Sequence, residues 1–166
     1  MSLDHKAFEF DWNLFERELL PLLPLSLPHD DFTKLAAFID DNLVFCRSPY
    51  DGSTLTPEWR ELLDNGDAQE VADFALTKYY DPNADCGLGA QWIDVERCLP
   101  ISLKNALLGS AITSFDPGRQ GAYFQSPGQV RSSVELMVVA SIPELHEFQI
   151  FLAGAAAKSL GVYVTF

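Results

Sequence analysis

Proline decides where helices can begin and end in this chain. Ten prolines interrupt the 166 residues. Inside a helix a proline removes an amide donor and clashes one turn back, whereas at the first helical position it costs nothing. The apolar spacing therefore predicts short segments, each with its own start. From Asp11, the residues Trp12, Phe15, Leu19 and Leu22 share one face, and Pro21 ends or kinks that helix. The stretch PLLPLSLP (21–28) reads as an extended, buried connector. A second helix opens near Asp30 with Phe32, Leu35, Ala36, Ile39 and Leu43 inward, and with Asp40 and Asp41 outside the stripe. After a loop over 48–56, Thr56 and Pro57 start a short helix turning Trp59, Leu62 and Leu63 inward, which Asn65-Gly66 stops. Asp67 and Glu70 have the spacing of a capping box for a helix that buries Val71, Phe74, Ala75 and Tyr79.

The second half is mixed. Residues 81–100 have no clear period and read as a long ordered loop with Trp92 and Ile93 plugged into the core. A short helix from Ser102 to Leu108 is closed by Gly109. Ala111 to Phe115 and Gly121 to Gln125 read as strands around Asp116-Pro117-Gly118. The segment 127–140 admits two readings. As a strand it aligns Val130, Val134, Leu136 and Val138. As a helix it has Ser126 at the cap, Pro127 first and Gln129 third, and gathers Val130, Val134, Met137 and Val138; the capping arrangement favours the helix. Ser141-Ile142-Pro143-Glu144 looks like the same device, opening a helix to about Leu160 that packs through Leu145, Phe148, Ile150, Leu152 and Ala156. Gly161 ends it, and Val162–Phe166 is a final strand of β-branched and aromatic residues. With no internal repeat or linker, the expectation is one domain, 1–166, of predominantly helical α+β class. It has an acidic helical part (1–80), the 81–100 loop, and a neutral mixed part (101–166) that contributes a small sheet.

Charge is the strongest functional signal. Residues 1–99 hold 20 of the 24 acids and 7 of the 11 Lys and Arg, a net of −13, and residues 100–166 are neutral. An anionic surface of this size disfavours nucleic acid and anionic lipid and attracts basic partners. No apolar run approaches the length of a membrane helix, and the N-terminus has no secretion-signal pattern. Three cysteines without a C-x-x-C pair point to a reducing, cytoplasmic setting.

Recognisable chemistry is sparse. Asp81, Asp85, Asp94 and Glu96, with Cys86 and two glycines, make 81–96 the place where a metal-assisted hydrolase or a cysteine nucleophile would be sought, but calcium-loop and phosphate-loop spacings are absent. His5, His29 and His146 lack metal-ligand spacing, and the His29-Asp30-Asp31 run reads more simply as helix capping. There is no serine-nucleophile elbow and no dinucleotide fingerprint. Hence no metal, cofactor or catalytic residue is assigned. The favoured expectation is a small acidic protein that binds a basic protein, either an immunity-type inhibitor of a cationic toxin or an adaptor. Its candidate contacts are Asp30, Asp31, Asp40, Asp41, Asp81, Asp85 and Tyr80, a tyrosine off the apolar stripe and so expected to be exposed. A third possibility is an oligomer-forming protein joined through Phe148, Phe151 or an open edge at Val162–Phe166.

Overall fold

Phe8 and Phe10, two residues apart, turn to the same side of an extended chain. They form a strand that the proline-bounded reading passes over. The computed structural model describes residues 4–166. In it, β1 (Lys6–Phe10), β2 (Ser110–Ala111), β3 (Ala122–Gln125) and β4 (Gly161–Thr165) make one antiparallel sheet in the order β1-β4-β3-β2. The class is α+β, as composition and period predict, but one strand comes from the N-terminal end. The last strand is no open edge: β4 bonds β1 on one side and β3 on the other, with Lys6 opposite Thr165 and Gln125 opposite Val162. An oligomer built on that edge is therefore ruled out.

Alternation then sorts the side chains into two cores. Phe8, Phe10, Ala122, Phe124 and Tyr163 face one layer, and Ala7, Val162 and Val164 face the other. The first layer comprises the elements between Asp11 and Tyr80: α1 (Trp12–Glu18), α2 (Leu23–Ser26), α3 (Thr33–Asp41), α4 (Ala68–Leu76) and the short turns between them. Phe124 is its centre, with rings stacked on it from Phe15, Phe115 and Tyr163 at 5.6, 6.0 and 5.0 Å. The second layer comprises α5 (Trp92–Cys98), α6 (Ile101–Leu108), α7 (Pro127–Ala140) and α8 (His146–Ala157). Residues 11–80 hold 14 acids against five Lys and Arg, so the charge asymmetry of the sequence becomes an asymmetry between the two faces of a sheet.

Local chemistry explains both successes and failures of the reading. Asp11 caps α1 through Leu14 N–H at 3.0 Å. The PLLPLSLP stretch is not extended. It forms successive helical turns, a 3-10 turn over Leu20–Leu22, then α2, then a 3-10 turn over Leu27–His29, because each proline falls at the first or second position of its own turn. Trp59 is buried, but Leu62 is 45% exposed, since the segment is a tight 3-10 turn (Trp59–Leu62) with a period nearer three. Within 81–100 the last third is helical, and Trp92 is buried. The predicted strand over 111–115 shrinks to Ser110–Ala111.

The Ser126–Gln129 capping box forms with both reciprocal bonds and starts α7. The second proposed device does not form. Ser141 instead ends α7 in a left-handed conformation (φ 48°), and Pro143, two residues after the serine, opens a 3-10 turn that leads into α8. Val138 and Ile150, expected inward, are 56% and 54% exposed, while Phe148 is buried. The helix closes at Ala157, leaving Gly161 inside β4. There a Cβ would lie 2.5 Å from Gln125 O and 2.9 Å from Trp12 Cβ, so only glycine fits.

His5 closes the second layer from below β1. Its ring is fully buried, stacked 5.1 Å from Trp92 with the edges of Phe148 and Phe166 beside it. Nε2 donates to Leu107 O at 3.0 Å, the C-terminal end of α6, and Nδ1 accepts from Leu88 N–H at 3.1 Å. Those two partners require the neutral ring protonated at Nε2.

Candidate functional site

Helix α4 carries the most unusual carboxyls of the chain. Asp67 caps it through Glu70 N–H at 3.0 Å, half of the expected capping box. Glu70 does not return the bond. It is buried, and it accepts from the backbone N–H groups of Asp64, Asn65 and Gly66 at 2.6, 2.8 and 2.6 Å and from the Tyr50 hydroxyl. Burial opposes its charge, but these four donors outweigh it and hold the carboxyl below its ordinary range.

Asp73, three residues on, lies on the same flank of the helix one turn later. It lines a cavity of about 500 Å³, open to solvent, together with Phe8 and Tyr163 of the sheet, Tyr80, Tyr50 and Asp85. No hydrogen bond or ion pair is made by the Asp73 side chain among the described residues. Burial, then the negative charges of Glu70 and Asp116, push its carboxyl up to about 7. Tyr80 and Tyr163 are in turn held well above the ordinary tyrosine range, by burial first and then by Asp73. Lys6 reaches the rim of the cavity and is in none of the ion pairs of the described residues. The cavity is thus an aromatic-walled space with two acids in its lining, and no Lys or Arg of the described residues pairs with Asp73.

A carboxyl raised in this way destabilises the fold when it ionises. Its contribution is complete below the unfolded value of 3.8 and is lost as pH rises to about 7. Asp73→Asn is accordingly expected to stabilise the protein by about 2–3 kcal/mol at about pH 8 and by almost nothing at about pH 4. Urea unfolding at the two pH values checks this; equal effects at both would show that Asp73 is not the group titrating.

The residues singled out from sequence scatter. Tyr80 is half-buried, its ring packed 4.8 Å from Phe8 and 5.0 Å from Tyr163, which corrects the expectation of an exposed tyrosine. Asp85 lines the same cavity while accepting from Ala7 N–H and Gly87 N–H at 3.0 and 2.8 Å. Asp81 accepts from Asn83 N–H at the neighbouring turn. Asp30, left-handed at φ 51°, caps α4 through Ala68 N–H at 2.7 Å, and Asp31 accepts from Thr33 N–H at the start of α3. Asp40 takes a two-pronged bond from Arg60 and a third from Trp59 Nε1 at 2.9 Å. The Asp41 carboxylate is exposed and makes no hydrogen bond or ion pair among the described residues.

Among the described residues, in 81–96 or elsewhere, no three His, Cys, Asp or Glu converge as metal ligands. Burial and then the charges of Asp85 and Glu9 raise the Cys86 thiol, the opposite of what a reactive thiolate needs. All three cysteines are free thiols, and burial takes Cys46 to about 12.

A surface feature beyond these residues lies past the end of α3. Val44 and Phe45 are 78% and 63% exposed directly after Asp40 and Asp41. Asp40 pins the Trp59 turn to this end of α3, bringing Glu58 and Glu61 toward it. The carboxylates of Glu58 and Glu61, like that of Asp41, are exposed and make no hydrogen bond or ion pair among the described residues. No helix among the described residues is long and apolar enough to cross a membrane. Compared with protein families, with curated proteins and with solved structures, the chain shows no match.

Proposed function

We propose that this chain is a cytoplasmic binding protein for a basic protein, of immunity or adaptor type, that receives its partner on the layer built from residues 11–80. The observation that carries the reading is the segregation of charge across the sheet, 14 acids against five bases on one side. An exposed apolar pair, Val44 and Phe45, beside the unpaired acids Asp41, Glu58 and Glu61 has the anatomy of a binding patch, with an apolar centre and a polar rim. Fields of this kind raise association rates more than they raise affinity, so salt should act chiefly on capture.

The test is retention of cell proteins on the immobilised chain at about 50 and about 500 mM salt, with identification of what is bound. A basic protein should be retained at low salt, with association slowed at least about tenfold at high salt. The variant Asp41→Asn/Glu58→Gln/Glu61→Gln should show the same loss already at low salt. Retention that ignores both salt and the triple substitution would end this reading.

A further inference from the structure

We propose that the cavity around Asp73 is a binding site for an alkylammonium group, supplied either by a free primary amine or by the side chain of a lysine. The inference does not depend on the capture of a basic protein and goes beyond it.

Asp73 is half-buried in the cavity wall, and a carboxyl in such a position is ordinarily paired, hydrogen-bonded or hydrated. It has no ion-pair or hydrogen-bond partner among the described residues, and Glu70 and Asp116 add negative potential instead of relieving it. Glu70 is already committed to its four donors, and Asp85 accepts two backbone N–H bonds. Asp73 is therefore the acid left for a ligand.

The walls narrow the chemistry. Phe8, Tyr50, Tyr80 and Tyr163 offer ring surface around the carboxyl, the surroundings that favour an organic cation over a hydrated ion. An anion would meet Asp73 and Asp85 together and be repelled. A bare metal ion would find few oxygen ligands, since the phenols stay protonated. Lys6, the basic group at the rim, is exposed and pairs with none of these acids, so the position opposite Asp73 is not taken by the chain's own ammonium. An incoming ammonium and a proton compete for the same carboxyl. Binding is thus coupled to pH through Asp73, with Glu70, Asp85, Asp116, Lys6 and the three tyrosines as the other titratable groups facing it.

The experiment is an NMR titration of the full chain, following the ring signals of Tyr80 and Tyr163, at about pH 8 and about pH 5. The probes are n-butylammonium, its neutral isostere n-butanol, and lysine blocked at both its α-amine and its carboxyl. Saturable shifts with n-butylammonium at the higher pH are expected, weakened at least about tenfold at the lower pH and about tenfold by Asp73→Asn. Tyr80→Leu should weaken binding while leaving its pH dependence in place, separating the ring contribution from that of the charge. Blocked lysine binding as well as n-butylammonium assigns the site to protein lysines; n-butylammonium binding alone assigns it to free amines. Equal shifts from n-butanol, indifference to Asp73→Asn, or no saturable shift with n-butylammonium would each overturn the proposal.

Discussion

Glu70→Ala is expected to lower stability by about 3–5 kcal/mol, the largest loss from any single acid in the chain. The substitution strands three consecutive backbone donors, those of Asp64, Asn65 and Gly66, together with the Tyr50 hydroxyl, in a site where the carboxylate is buried. Hydrogen bonds to a charged acceptor are worth roughly twice neutral ones, and the stranded groups add their own desolvation cost. Glu70→Gln separates charge from shape, because an amide keeps the volume but turns its NH₂ toward donors. It should lose about half as much. The sign with pH follows from the depressed carboxyl. Its contribution is complete above the unfolded value of 4.5 and is lost as pH falls through the lower folded value. Denaturant unfolding of the three proteins at about neutral pH decides the matter; a loss under about 1 kcal/mol for the alanine variant would mean that water replaces the carboxylate freely.

His5→Ala should cost a comparable amount, about 3–5 kcal/mol, for a different reason. The ring fills space between Trp92, Phe148 and Phe166, so its removal opens a cavity. It also leaves Leu107 O and Leu88 N–H without their partner. Replacement by phenylalanine keeps most of the packing and loses both bonds, which apportions the two effects. Burial lowers the imidazole below its ordinary value of 6.5, against the raising influence of the Leu107 bond and the Asp85 charge. Between 6.5 and the lower folded value the unfolded chain holds more protons, so His5 removes stability as pH falls through that window. Asp73 acts in the opposite sense over much of the same range, gaining stability as pH falls from about 7. The wild-type profile is a compromise between the two. His5→Phe should leave a fold that grows more stable on mild acidification, readable by urea unfolding at about pH 7 and about pH 5. An unchanged pH slope would show that His5 already carries its proton when folded.

Three helix starts were legible from a side chain within three residues of the cap. Asp11, Asp67 and the Ser126–Gln129 pair each cap as their spacing predicts. The 21–28 connector and the Ser141 device failed on local grounds, and the rest of what failed depended on groups distant in sequence. β1 is a five-residue strand whose only evidence is its partner, β4, at the far end of the chain. Glu70 had the spacing of a reciprocal cap, and nothing in that spacing reveals that a turn of stranded N–H groups and a tyrosine compete for its carboxylate. Asp73 reads as one more acid on a helix flank. It becomes the centre of a cavity because Tyr80, Asp85, Tyr50 and the sheet meet around it. Of the acids chosen from sequence, Asp31 serves the start of α3 as local spacing had suggested, whereas Asp30 caps α4 from 38 residues away and Asp40 pairs with Arg60.

The pairing of β1 with β4 carries a consequence for how quickly the molecule can assemble. Phe10 lies opposite Gly161 and Lys6 opposite Thr165, so the two strands meet only by closing a loop of about 150 residues, an entropic cost of about 4 kcal/mol before any contact repays it. The helical layers draw on near neighbours, α3 with α4 and α7 with α8, and such local contacts form early. Neither layer has a floor until the strands arrive. Sheet closure is then the slow, committing event of folding, and a chain halted before it exposes two separate apolar surfaces, each awaiting the same four strands.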